Sequence, residues 1–135
     1  MTARPMVVIE SPFKGDGTAT DRAKLITYAR RALRHSIDLG ESPIASHLLY
    51  TQVLQDGFLP HRELGMGMVH DWFDRAGTIV FYTDYGMSSG MELGLARARE
   101  HGKICFQRTI GPNEAPHHEW SGYRGEDLMF SGVSN

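Results

Sequence analysis

TIVFYTDYGMSSGMELGLARAREHGKICFQRT, residues 78–109, decides the fold. TIVFYTD (78–84) and KICFQRT (103–109) read as strands covered on both faces, since neither shows the apolar-polar alternation of a half-wet strand. Residues 90–101 between them have helical spacing and stop at Gly102. A strand, a helix and a strand in this order predict a parallel pair, because parallel neighbours need a crossover of this length.

Working outward, MVVIES (6–11) is another nearly unbroken apolar run, and residues 21–39 carry Leu25, Ala29, Ala32, Leu33, Ser36 and Ile37 at helical spacing. Asp21 in the first turn and Gly40 past the end mark that helix's limits. SPIAS (42–46) predicts a short second strand, and LLYTQVLQDGF (48–58) fits either a short helix or an ordered loop. Pro60 opens a helix running through Ala76, with Leu64, Met68, Trp72 and Ala76 on one face and Gly77 as its stop. Residues 111–135 have no long periodic stretch and form an irregular tail with a short strand near Asp127 to Phe130. The expectation is one domain over 1–135: an α/β fold with an open parallel sheet of four to five strands and helices on both faces, Rossmann-like or flavodoxin-like.

Composition excludes several function classes. Lys and Arg number 14 against 16 Asp and Glu, a net charge of −2, which offers no general field for a nucleic acid polymer or an anionic membrane. A lone cysteine, Cys105, permits no intrachain disulfide or multi-cysteine zinc site and fits a reducing cytoplasm. No stretch of about 18 apolar residues is present to span a bilayer. His117 and His118 are adjacent rather than at a ligand spacing, so no metal is expected, and no cofactor either.

An open parallel sheet binds ligands beyond the carboxyl ends of its strands. Four loops therefore converge: Ser11-Pro12-Phe13-Lys14-Gly15-Asp16, Ser46-His47-Leu48-Leu49-Tyr50, Asp84 to Gly90, and Gln107-Arg108-Thr109. The third is small and flexible, and its amides and serine hydroxyls stand at the positive end of a helix, where a phosphate could sit.

Ser11-Pro12-Phe13 at the end of a strand, and Asp84-Tyr85-Gly86-Met87-Ser88-Ser89-Gly90-Met91-Glu92-Leu93-Gly94 leading into a helix, resemble the motifs of the nucleoside 2-deoxyribosyltransferases and related nucleotide N-hydrolases. The resemblance covers roughly residues 6–108. The stretches SPFKGD, YARRAL, ASHLLYT and YTDYGMSSGM look most like a small branch of that fold found in phages and bacteria. It implies Glu92 as the nucleophile at the anomeric carbon of a nucleoside or nucleoside 5′-monophosphate. It also implies Ser88, Ser89 and Gly90 around the 5′ end, with Ser11, Pro12, Phe13, Asp84 and Gly86 as further substrate contacts. A homo-oligomer, dimer or larger, is implied as well. The leaving base needs a proton donor, for which His47 and Asp71 are candidates. Val69 stands where the resemblance expects an aspartate, which points to an alternative: an inactive nucleotide-binding module acting as sensor, sequestering protein or assembly subunit.

Each motif also has a purely structural explanation. Ser89-x-x-Glu92 fits a capping box. His47 could be satisfied by backbone at a strand end, and Asp84 could bond loop amides. Arg30, Arg31 and Arg34 fit an exposed helix face, and Met66, Met68 and Trp72 fit core or a subunit contact. Lys14 and Arg108 could attract phosphate or simply be solvated.

Overall fold

The computed structural model describes residues 3–55, 57–111 and 128–129. They form β1 (Met6–Glu10), α1 (Ala19–Asp38), β2 (Ser42–Ala45), two 3₁₀ turns (Ser46–Leu48 and Tyr50–Gln52), α2 (Leu59–Arg75), β3 (Thr78–Tyr82), α3 (Ser89–Glu100), β4 (Ile104–Arg108) and β5 (Leu128–Met129). The sheet runs β2-β1-β3-β4-β5. β1 to β4 are parallel, and β5 pairs antiparallel with β4, matching the short strand expected near residue 128. The ambiguous stretch 48–58 contributes to the 3₁₀ turns rather than a full helix. Of the tail, His117 and His118 lie outside the described residues.

Strand alternation sorts the core into two layers. Val7 and Ile9 of β1, with Val80 and Tyr82 of β3, meet Tyr28 and Ala32 of α1. Val8, Ile79 and Phe81 meet Phe73 from α2 and Met91, Leu95 and Ala98 from α3 on the opposite face. Both faces are thus covered, which is why β3 is buried at every position. The expected face of α2 is met only in its C-terminal half, where Trp72 and Ala76 join the core. Leu64 and Met66 are largely exposed, while Phe73 is buried with Val69 and Trp72 against it. The contact with the sheet is made by that C-terminal half, and Leu64 in the first half faces away from it. No helix of the described residues is long and apolar enough to cross a membrane.

α1 begins with Thr18, whose Oγ1 accepts from the Asp21 amide at 3.1 Å. The Asp21 carboxylate turns back to accept from the Asp16 amide at 2.8 Å. Only glycine fits at position 15 beside it, because φ is +57° and a Cβ would lie 1.8 Å from Asp21 Oδ2.

Two polar clusters hold the α1 layer. In the first, Asp84 anchors the chain leaving β4. Its carboxylate accepts from the Tyr28 hydroxyl, from the Ile110 amide at 3.1 Å and from the Gly111 amide at 2.7 Å. Burial and then the adjacent Asp84 carboxylate push the Tyr28 hydroxyl far above the ordinary phenol range, so it stays protonated and donates. Asp84→Ala should therefore cost about 2–3 kcal/mol, since a hydroxyl and two amides lose their acceptor. Urea unfolding of both proteins measures this, and an unchanged midpoint would refute it.

In the second cluster Arg108 and Glu41 are both buried and paired through two bonds, Nη1 to Oε1 at 2.9 Å and Nη2 to Oε2 at 3.0 Å. Arg108 also donates to the Tyr82 hydroxyl at 3.0 Å, and Ser36 donates to Glu41 at 2.6 Å. The expectation that Arg108 meets a phosphate or solvent is thereby corrected. Strand alternation puts it on the α1 face, together with Phe106 and Tyr82. Of the expected arginine face on α1, Arg34 pairs with the buried Asp38 one turn on and Arg31 donates to the Gly111 carbonyl.

Candidate functional site

The strand order reverses at β1. Its crossover through α1 leads to β2 on one side, and the crossover through α2 returns to β3 on the other. A crevice must open beyond the carboxyl ends of β1 and β3 at such a point. A cavity of about 550 Å³ lies there. One wall is Pro12, Phe13 and Lys14 after β1, and a second is Ser46, His47 and Tyr50 after β2. Tyr85 and the run Met87 to Met91 close it before and within the start of α3, and α2 contributes Arg62, Met66, Val69 and Phe73.

Glu10, the last residue of β1, faces this cavity and is only 6% exposed. Alternation places it with Val8 on the α2 and α3 side of the sheet. Ser46 Oγ donates to Glu10 Oε2 at 2.7 Å. Gly94 of α3 packs beside it, at a position where a Cβ would stand 3.5 Å from Oε1 and 3.8 Å from the Phe73 ring, ordinary contact distances. Burial raises the Glu10 carboxyl above its ordinary range, while the charge of nearby His47 and the Ser46 hydrogen bond pull it partway back. A carboxyl with an elevated pKa in a cleft is a candidate for acid, base or nucleophile chemistry.

The rest of the wall supplies positive charge and aromatic surface. Lys14, Lys24 and Arg62 border the cavity. Of the two carboxylates among the described residues that share it, Asp21 is engaged by the Asp16 amide and Glu10 by Ser46. Phe13 stacks on His47 with centroids 5.1 Å apart and planes 12° from parallel. Lys24 Nζ lies 4.5 Å from the centre of the Tyr85 ring. The turn that carries His47 is tied to the next one, since Thr51 Oγ1 donates to the His47 carbonyl at 2.6 Å, and that second turn is itself held by Trp72 Nε1, which donates to the Tyr50 hydroxyl at 2.7 Å. Three histidines of the described residues reach the cavity, His47, His61 and His70. Burial and then the Arg97 charge hold His70 below the ordinary imidazole range. No group of three His, Cys, Asp or Glu among the described residues is placed to hold a metal ion.

The structure brings together most of the residues the sequence singled out. Pro12, Phe13, His47, Ser88, Ser89 and Gly90 all line the cavity. Glu92, Asp71, Ser11, Asp84 and Gly86 do not.

Glu92 is exposed, because α3 buries Met91, Leu95 and Ala98 and the next residue lies about 100° further round the helix. The cap is also one residue earlier than the expected Ser89 and Glu92 pair. Ser88 Oγ accepts from the Met91 amide at 3.2 Å, and the Ser88 amide donates to Met91 Sδ at 3.5 Å. Asp71 is exposed because α2 turns Arg62, Met66, Val69 and Phe73 to the cavity, and a residue two beyond Val69 falls on the far side. Ser11 is buried one residue out of phase with Glu10. Asp84 is engaged by Tyr28 and the 110–111 amides. Gly86 serves a turn, with φ at +81° and its amide donating to the Thr83 carbonyl at 2.8 Å. The loop after β4 does not reach the cavity.

Glu10 is the residue that sequence reasoning missed. Its signal was a carboxylate ending the apolar run MVVIE, a strand whose every other residue suits burial on both faces.

No curated protein matches the chain significantly. A family model described as "Domain of unknown function (DUF7768)" matches residues 5–107, a span that contains every cavity residue named above. With three quarters of its length inside that match, the chain belongs to the DUF7768 family.

Proposed function

We propose that the cavity binds a nucleoside 5′-monophosphate and that Glu10 serves as the nucleophile in cleavage or exchange of its N-glycosidic bond. The observation that carries this is the buried Glu10 carboxylate bordering the same cavity as the start of α3. A glycosidic nucleophile needs a shielded carboxylate close to its sugar. The chemistry is the one the motif resemblance implies, moved from Glu92 to the carboxylate that borders the cavity. Ser88, Ser89 and Gly90 at the positive end of α3, with Lys14, Lys24 and Arg62 nearby, suit the phosphate. Phe13 and Tyr85 offer apolar rings for the base.

Incubation with a panel of nucleosides and their 5′-monophosphates, followed by chromatography, tests the reading. Free base is expected from at least one monophosphate, and faster than from its nucleoside. Glu92→Gln should retain activity within about a factor of two, because its side chain is outside the cavity. Loss of activity in that variant, or no base from any compound, would overturn the assignment.

Val69 in the cavity wall favours a second reading, a module that holds the nucleotide without turning it over. A monophosphate-dependent rise in Tm without base release would support it.

A further inference from the structure

Resting on the proposed glycosidic chemistry, we infer that His47 is the catalytic acid that protonates the departing base. His47 follows directly on Ser46, which holds Glu10 Oε2 at 2.7 Å, so one short turn supplies both the carboxylate's anchor and an imidazole in the same cavity. The stack on Phe13 fixes the plane of the ring, and the Thr51 bond to the His47 carbonyl fixes the backbone beneath it. Among the described residues no hydrogen bond engages either ring nitrogen of His47, which leaves them available to a ligand.

The other two cavity histidines are less suited. His61 Nδ1 accepts from the Gln55 amide at 3.0 Å, and His70 is favoured in its neutral form by burial and by Arg97. Asp71, the other donor considered from sequence, is outside the cavity.

The step balances. As a Glu10 oxygen bonds to the anomeric carbon, the carbon-nitrogen bond breaks and its electron pair stays with the base. The base nitrogen takes a proton from the His47 imidazolium. Water then attacks the anomeric carbon of the glycosyl ester, the neutral imidazole accepts the water's proton, and the Glu10 carboxylate leaves. In base exchange, an incoming base takes the place of water and gives up its N–H proton.

The test compares two leaving groups. A purine or pyrimidine departs poorly as an anion, whereas 4-nitrophenolate departs without a proton. His47→Gln should lower base release from the natural monophosphate by about 10²–10⁴-fold. Release of nitrophenolate from the corresponding 4-nitrophenyl glycoside 5-phosphate should fall by less than about tenfold, because general acid help is not needed there. Phe13→Leu keeps the imidazole but frees its plane, and should show a smaller loss with the same selectivity.

Equal losses on both substrates, or no loss on either, would overturn the role of His47 while leaving the glycosidic chemistry standing. A wild-type protein inactive on both substrates would instead overturn the proposed function, and this inference with it. If His47→Gln fails to fold, the wild-type pH profile decides: a fall in turnover towards alkaline pH seen with the natural substrate and absent with the nitrophenyl one supports the role, and the same profile on both sinks it.

Discussion

Glu10→Gln should abolish base release, by at least about 10³-fold, while making the protein more stable at neutral pH. Both effects have the same origin. Glu10 is buried beside Phe73 and Gly94, and burial raises its pKa above the ordinary 4.5. A group whose folded pKa is raised contributes its full stability below the unfolded value and loses it as pH rises through the folded value. Above the ordinary 4.5 the burial of this carboxyl therefore costs the fold stability, and a neutral amide of the same shape removes that cost while still accepting from Ser46.

The Tm advantage of the variant should shrink as pH falls through the raised pKa towards 4.5, where the wild-type carboxyl is protonated as well. Over the same window wild-type turnover should fall, because the nucleophile must be ionised. Ser46→Ala removes a bond that favours the charged form, and should move that acid limb to higher pH. Base release by chromatography and thermal melts across pH measure the pair. Retained turnover in Glu10→Gln, or a stability difference independent of pH, would rule out the role given to this carboxylate.

Arg108→Ala should have the largest effect on stability, a loss of about 3–5 kcal/mol. Arg108 is 1% exposed and Glu41 3% exposed, so removing the guanidinium strands a carboxylate in the interior with a remaining bond from Ser36 at 2.6 Å. A loss of that size is a large share of the roughly 5–15 kcal/mol that holds a domain folded. Replacing both partners by apolar residues, Arg108→Met with Glu41→Leu, should cost less than the single change, since no charge is left unpaired. Urea midpoints with an unchanged m-value measure both. Because neither residue borders the cavity, ligand binding per folded molecule should be preserved. A double variant weaker than Arg108→Ala would show that the pair contributes more than the avoidance of a stranded charge.

The order of elements was legible in the chain itself. Every strand and helix from β1 to β4 lies within two residues of where apolar period, Pro60 and the glycine stops place it. The meeting of the loops after β1, β2 and β3 also follows from sequence, because parallel strands all end at one edge; hence Pro12, Phe13, His47 and the 88–90 run share a wall.

What sequence could not determine is rotation and partnership. A motif shows that Glu92 starts a helix but not which way its side chain turns, and α3 spends its inward face on Met91, Leu95 and Ala98. Glu10 looked like the end of a core strand. Only the position of β1 at the reversal of strand order, and the parity of its pleat, turn that carboxylate into the cavity. Arg108 and Glu41 stand 67 residues apart, and nothing local in either segment names the other. Periodicity reports the forces acting within one element, whereas the environment of a charge is set by which elements lie across from it, and that is decided only when the layers close.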